Sequence, residues 1–193
     1  MITALLVSNL LVWLLLLLLA IAVLALYRHF GQLYINSPQG RTEQGPETGS
    51  HLLSMSDTDA SGRMIVLPMR TAMAMVFADT TCTLCATVRS ELATLRTAPD
   101  ARIVVLCAGR AQDVAAWAQG LPENVSVIHD RRSGYANKYE VNGTPYAVVV
   151  GESGMVHGKS IVNGAEGVRW IVNEIRHADA VPIPVTQKGH DHS

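Results

Sequence analysis

The stretch Ala72-Met73-Ala74-Met75-Val76-Phe77-Ala78-Asp79-Thr80-Thr81-Cys82-Thr83-Leu84-Cys85 contains the most informative pattern in this chain. Its seven apolar residues, 72–78, have the length and composition of a buried strand. Two cysteines follow, separated by two residues. Apolar residues then recur at spacings of four, four and three, which predicts one face of a helix: Leu84, Val88, Leu92 and Leu95. The sequence therefore predicts that a strand delivers Cys82 and Cys85 to the start of a helix.

A cysteine at a helix N-terminus faces unpaired backbone N–H groups and the positive end of the helix dipole, which favour its thiolate. Cys82 is predicted to hold this position and to be the attacking residue of a thiol–disulfide exchange. Cys85, one helical turn further on, is predicted to resolve the mixed disulfide. The sulfur pair carries the electrons itself, so no cofactor is expected. A Cys-x-x-Cys pair is also half of many metal sites, so a binding module that holds metal or a partner without turnover is the alternative.

Composition excludes several other classes of protein. The chain has 193 residues and a formal net charge of −1, which gives no basis for electrostatic capture of nucleic acid. Its three cysteines are too few for a disulfide scaffold. The third, Cys107, ends a predicted core strand and is expected to be an inert buried thiol. These features favour redox chemistry in one globular domain.

The rest of the chain alternates between strand and helix patterns. Strands are predicted at 102–107 and 125–128, with a helix at 112–119 between them and a helical turn at 133–139. Residues 145–150 and 155–162 predict a closing hairpin, and an apolar stripe marks the last helix: Val168, Ile171, Val172 and Ile175. Another hairpin is predicted from runs 51–55 and 63–67. Apolar strands alternating with helices predict an α/β fold, a three-layer sandwich.

Thr144-Pro145 precedes the strand at 145–150. A proline there can simply start a strand, and X–Pro bonds are mostly trans. After a strand, a Cys-x-x-Cys pair and a helix in this order, we expect a cis bond. Its role would be to expose the backbone of Thr144, so that an extended client peptide pairs with it beside Cys82. Thr144 and Pro145 are therefore the predicted substrate-binding residues.

The N-terminus predicts a membrane anchor at 2–27. Residues 10–27 include no charged or strongly polar side chain, and about 20 apolar residues suffice to cross the hydrocarbon core. A cleaved signal peptide is the competing interpretation, but no Lys or Arg precedes residue 28 and no small-residue cleavage site ends the run. Arg28 and Arg41 weakly favour a cytoplasmic domain by the positive-inside tendency. Disulfide chemistry favours the extracytoplasmic side, which is our expectation.

Three further segments follow the predicted anchor. Residues 28–50 are rich in Gly, Pro, Ser, Gln and Glu and predict a tether. Residues 51–178 form the predicted domain, and 179–193 a disordered tail. His190 and His192 in that tail, with His177 upstream, could bind copper or nickel, but a disordered polar C-terminus explains them at least as well, so no metal site is assigned.

Two sets of residues resemble a known family. The strand–Cys-x-x-Cys–helix unit, Gly143-Thr144-Pro145 and the closing hairpin and helix resemble the thioredoxin-like domain of the TlpA/ResA redoxins. Ser8-Asn9-Leu10-Leu11-Val12-Trp13, the leucine-rich helix and residues 24–34 resemble the anchor of MauD, a methylamine utilisation protein. The similarity covers the chain except its C-terminal tail.

This resemblance implies a thioredoxin-like domain on a bacterial cell membrane, facing away from the cytoplasm. It implies redox cysteines at Cys82 and Cys85 and the cis-proline at Pro145. Expected partners are exported client proteins with cysteines, among them the methylamine dehydrogenase light subunit, and a membrane redox partner. Thr83 replaces the family's usual proline. The buried acid of thioredoxins falls near Val76, which argues against fast thioredoxin-type reduction but not against oxidation or isomerisation.

Overall fold

The computed structural model describes residues 2–35, 44–95, 98 and 100–180, in two compact units, Met1–Arg41 and Thr42–Ser193. The first unit contains helix α1, Ile2–Ile35, so the helix continues beyond the predicted anchor. Its described side chains, Leu6 and those of residues 9–24, are exposed. Among the described residues, no helix is long and apolar enough to cross a membrane.

The second unit is built on a five-stranded sheet with the order β5-β4-β3-β6-β7. Its strands in chain order are β3 Met73–Asp79, β4 Arg102–Ala108, β5 Val125–His129, β6 Tyr146–Val150 and β7 Val156–Ile161. β3, β4 and β5 are parallel, whereas β6 is antiparallel to β3 and β7 is antiparallel to β6. A separate antiparallel pair, β1 Met55–Thr58 and β2 Met64–Leu67, precedes the sheet. The predicted alternation and closing hairpin are confirmed.

Both faces of the sheet are buried along β3, β4, β5 and β6, because these strands are mostly apolar, whereas β7 is half-buried beyond Val156. Three helices cover one face: α2 Thr83–Leu92, α3 Ala111–Ala118 and α5 Gly164–Ala180. The side chains of Ala74, Val76 and Ala78 point to this face, and those of Met73, Met75 and Phe77 to the other. The second face packs against β1–β2 and the region of the five-residue helix α4, Gly134–Lys138. The layer on that face is thus partly a hairpin.

Two local predictions differ from the structure. Leu84 is not on the buried face of α2, whose buried residues are Cys85, Val88 and Leu92. Successive residues are about 100° apart around a helix. Because the buried face begins at Cys85 and not at Leu84, the Leu84 side chain faces solvent. In the first hairpin, the strand β1 begins at Met55 and the turn is shorter than predicted, because Ser56, Asp57 and Thr58 pair with β2.

Both outer strands of the sheet have neighbours over part of their length. At β5, the Ala60 N–H donates to the Val127 carbonyl at 2.8 Å. Asp59 is buried beside this contact and accepts hydrogen bonds from Ser61 and Arg63. At β7, Val156 pairs through its backbone with Gly49 and Ser50 at 2.8 and 2.9 Å. These contacts cover the two edges where the sheet would otherwise be open.

The structure describes only part of the predicted tether, 28–50. Residues 28–35 are helical. The Gln44 carbonyl accepts the Tyr146 hydroxyl, and the Gly45 N–H donates to the Glu140 carbonyl. Residues 36–43, with Arg41, lie outside the described residues. So do Pro99, predicted to end the helix after the cysteines, and the tail from 181 with His190 and His192. Helix α2 ends at Leu92.

Candidate active site

A tight turn at the end of β3 positions the cysteine pair. The Asp79 carboxylate oxygen Oδ1 accepts hydrogen bonds from the N–H and the hydroxyl of Thr81, at 2.7 and 2.6 Å. The Asp79 carbonyl accepts the Cys82 N–H at 3.2 Å. Asp side chains favour turns because they bond to backbone N–H groups two residues on. This turn places Cys82 at the N-cap of α2.

The Cys82 sulfur lies between the start of α2 and the residue before Pro145. It accepts the Cys85 N–H at 3.2 Å, in the role of a helix-capping side chain. Its thiol donates to the Thr144 carbonyl oxygen, with 3.7 Å between sulfur and oxygen. Cys82 is partly exposed.

Cys85 is fully buried one turn along α2. Burial raises the pKa of the Cys85 thiol to about 12, and the hydrogen bond with Cys82 acts in the same direction. Hydrogen bonds from the Asp79 backbone and the Thr144 side chain oppose this rise and do not overcome it. Cys85 is therefore a neutral thiol at pH 7. The two cysteines differ in accessibility, as attacking and resolving residues would.

The Thr144–Pro145 peptide bond is cis, as the sequence analysis expected. Pro145 leads into β6, which pairs with β3 so that Tyr146 lies opposite Phe77. This antiparallel pairing brings the start of β6 to the end of β3, and hence Thr144 to Cys82. Thr144 is exposed and its neighbour Pro145 is buried. All four predicted site residues thus lie together where β3 ends and β6 begins.

Cys107 lies behind this site on the helix-covered face. It is fully buried in the same apolar cluster as Cys85. Burial, followed by the charges of Cys85, Asp79 and Asp130, raises the pKa of Cys107 to about 12. The thiol is neutral at pH 7 and closed to solvent, in agreement with the expectation of an inert residue.

Three features of the site escaped the sequence analysis. Asp79 orders the turn before the cysteines. Asp-Thr-Thr before a helix is a turn signal that could have identified this role. Leu84 is 54% exposed next to the cysteines. Gly109 approaches the site so closely that an added Cβ would collide with the Thr80 side chain, and its φ of +135° favours glycine. Separately from the site, a second cis bond, Leu67–Pro68, had no signal in the sequence beyond the proline itself.

The cysteine pair was also considered as part of a metal site. No group of three His, Cys, Asp or Glu side chains suited to a metal ion occurs among the described residues. Two thiols alone leave a tetrahedral metal without its remaining protein ligands.

The chain matches no protein-family model and no curated protein. Solved structures share its fold. A protein of Chlorobium tepidum assigned as thiol:disulfide interchange protein DsbE is 14% identical with a TM-score of 0.59, covering 68% of this chain and 97% of its own. A secreted Mycobacterium tuberculosis disulfide oxidoreductase homologous to E. coli DsbE is 13% identical with a TM-score of 0.54, covering 64% and 95%.

A third solved structure agrees with these two. The thioredoxin domain of a thiol-disulfide oxidoreductase from Bacteroides vulgatus is 18% identical with a TM-score of 0.50, covering 66% of this chain and 99% of its own. At such identities the likeness establishes the fold. The second unit of this chain is a mixed α/β, thioredoxin-like domain.

Proposed function

We propose that this protein is a thiol–disulfide oxidoreductase in which Cys82 attacks and Cys85 resolves. The observation that carries the proposal is the position of the Cys82 sulfur. It is partly exposed, capped by the Cys85 N–H and in contact with the Thr144 carbonyl, while the Cys85 thiol is buried behind it. The names of the structurally similar proteins support the same class of reaction.

The exchange proceeds in two balanced steps. The Cys82 thiolate attacks one sulfur of a client disulfide, forming a mixed disulfide and releasing the other client sulfur as a thiolate. Cys85 then loses its proton and attacks the Cys82 sulfur, releasing the second client thiol and leaving a Cys82–Cys85 disulfide. The client is reduced and the pair oxidised. The reverse sequence introduces a disulfide into a dithiol client.

Client binding uses the exposed backbone of Thr144. An extended peptide pairs with this backbone while its sulfur meets Cys82, in the manner of strand addition to a sheet edge. The exposed Leu84 offers an apolar contact for client side chains beside the cysteines. Such recognition depends on main-chain groups and accepts many sequences.

The test of this proposal is the equilibrium reduction potential of the cysteine pair in the full-length protein. Thiol labelling across glutathione and dithiothreitol ratios measures the fraction oxidised at each poise. We expect a reversible two-electron couple. A value near −120 mV indicates disulfide introduction and one near −270 mV indicates reduction. Failure to form the disulfide at any poise contradicts the proposal and favours the binding module.

We further propose that α1 anchors the domain in a membrane. The described side chains of residues 9–24 are exposed and mostly leucine, and the sequence extends the uncharged run to residues 2–27. Together these residues reach the length of about 20 that a bilayer requires. The domain faces the extracytoplasmic side, where disulfides persist. The resemblance to MauD supports exported clients such as the methylamine dehydrogenase light subunit, served with a membrane redox partner.

Membrane fractionation tests the anchor. After alkaline carbonate washing of bacterial membranes, the full-length protein is expected in the pellet. Protease added outside intact spheroplasts is expected to remove the domain. Release of the protein by carbonate contradicts the anchor, and complete protection from protease in intact spheroplasts contradicts the orientation.

A further inference from the structure

The described part of the domain begins at Gln44, beside the loop that leads to Pro145. The Gln44 side-chain oxygen Oε1 accepts the Asn142 N–H at 3.1 Å, and the Gln44 carbonyl accepts the Tyr146 hydroxyl at 2.9 Å. Asn142 lies two residues before Thr144, and Tyr146 lies two residues after it. Gln44 therefore holds the chain on both sides of the predicted client-binding residues, although the sequence predicts a tether at this position.

Gly45 fixes the position of this segment. Its N–H donates to the Glu140 carbonyl at 2.9 Å, and its carbonyl accepts a hydrogen bond from the Lys159 ammonium at 3.2 Å. Its φ of +77° favours glycine, and a Cβ added there would lie 3.0 Å from a ring carbon of Tyr146. Gly45 is buried. The segment is thus hydrogen-bonded to the chain before the loop and to β7, and it packs on the start of β6.

The loop itself is exposed and depends on support from outside. Residues 142–144 are exposed, and the residues on either side of them are buried. Glu140, just before the loop, has a φ of +57°, a left-handed conformation that is uncommon for residues other than glycine. Such a conformation persists where the surrounding structure holds it. The hydrogen bonds from Gly45 to Glu140 and from Asn142 to Gln44 provide that support.

The position of this loop decides how a client meets the cysteines. The Thr144 carbonyl oxygen lies 3.7 Å from the Cys82 sulfur. An extended client that pairs with the Thr144 backbone brings its own sulfur to Cys82 only while the loop keeps this position. A loop that is ordered before binding removes the entropy cost of ordering it on binding, which increases affinity. A small disulfide without a peptide backbone does not use this pairing.

We propose that Gln44 is a positioning residue for peptide clients. Its Oε1 holds the Asn142 N–H and so presents the Thr144 backbone beside Cys82 before the client arrives. Gln44 acts through the loop and not on the reacting sulfurs. This inference rests on the proposed function and extends it, because the site then selects disulfides carried by an extended polypeptide over small disulfides.

Two disulfides separate this role from the chemistry in the full-length protein. Reduced protein, freed of reductant, is mixed with a self-quenched fluorescent disulfide peptide or with 5,5′-dithiobis(2-nitrobenzoate), which has no peptide backbone. For Gln44→Ala, we expect the second-order rate constant with the peptide to fall about fivefold, as for the loss of one hydrogen bond, while that with the small disulfide stays within about twofold of wild type. The loss is expected as weaker peptide binding and not as a lower maximal rate, since the sulfurs are unchanged.

Two matched variants and a second measurement interpret the result. Gln44→Glu keeps an oxygen that accepts the Asn142 N–H and is expected to return the peptide rate toward wild type. Gln112→Ala removes an exposed glutamine of α3 and is expected to change neither rate. Hydrogen–deuterium exchange over residues 140–146, followed by mass spectrometry, is expected to be faster in Gln44→Ala than in the other proteins. Circular dichroism reports folding.

Each outcome decides a different point. A wild-type ratio of the two rates in Gln44→Ala, an equal fall with both disulfides, or wild-type exchange over 140–146 overturns the role of Gln44. If Gln44→Ala does not fold, Gln44→Met replaces it, because methionine keeps the length of the side chain and removes the acceptor. Absence of reaction with either disulfide in the wild-type protein overturns the proposed function instead.

Discussion

Cys82→Ser is expected to lose all thiol–disulfide exchange, leaving the rate of buffer alone. A serine oxygen keeps the helix-capping contact with the Cys85 N–H but cannot form a disulfide with a client. The remaining Cys85 thiol is buried with a pKa of about 12, so it cannot replace the lost nucleophile. Reduction of a self-quenched fluorescent disulfide peptide by the full-length protein, with dithiothreitol as the electron source, measures this loss.

Cys107→Ser is the matched control for that experiment. It removes the other thiol outside the Cys82–Cys85 pair, one that is closed to solvent and neutral at pH 7. Exchange at the wild-type rate per folded molecule is expected, with circular dichroism to report folding. Full activity in Cys82→Ser, or its loss in well-folded Cys107→Ser, contradicts the assignment of the attacking residue.

Cys85→Ser is expected to convert a transient mixed disulfide into a stable one. Cys82 still attacks, but no internal thiol then breaks its bond to the client. Incubation with an excess of a disulfide client should therefore bring nearly every molecule into a covalent adduct. Electrophoresis without reductant and intact mass of the adduct measure the conversion.

The same adduct identifies natural clients when Cys85→Ser is expressed in the cell. A Cys82→Ser/Cys85→Ser double variant controls for adducts through Cys107 and should capture nothing. Cys85→Ala covers the case in which a buried serine hydroxyl disturbs the fold. If Cys85→Ser and Cys85→Ala both turn over without accumulating adduct, Cys85 is not the resolving residue.

The strand and the cysteine positions could be predicted because their signals are local. An apolar run, a polar break and two cysteines at helical spacing all lie within 72–85, so no long-range contact is needed to interpret them. The same local pattern failed for Leu84. Leu84 lies four residues before Val88 and Cys85 lies three before it, so either residue could begin the apolar stripe through Val88. In the structure, packing against α5 buries Cys85 and leaves Leu84 exposed.

The proximity of Thr144 to Cys82 could not be obtained from spacing alone. It depends on the order of strands, in which β6 pairs with β3 although β4 and β5 lie between them in the chain. The sequence order of motifs made this arrangement an expectation, and the antiparallel register supplies its physical basis. Asp79 went unused as a candidate because its significance depends on which hydrogen bonds it makes, and those follow from the folded turn.

The covered edges of the sheet bear on how such a protein handles partly unfolded chains. A nascent client carries many segments ready to pair with any open strand, and a sheet with open sides would hold them in unproductive complexes. Here the Ala60–Val127 contact on one side and the Gly49–Val156 contact on the other occupy part of those positions. Client backbone is thereby directed toward Thr144, where capture coincides with chemistry. Ala60 belongs to the turn of the β1–β2 hairpin, so this hairpin would reduce unproductive pairing of client chains with β5 in addition to supporting the fold.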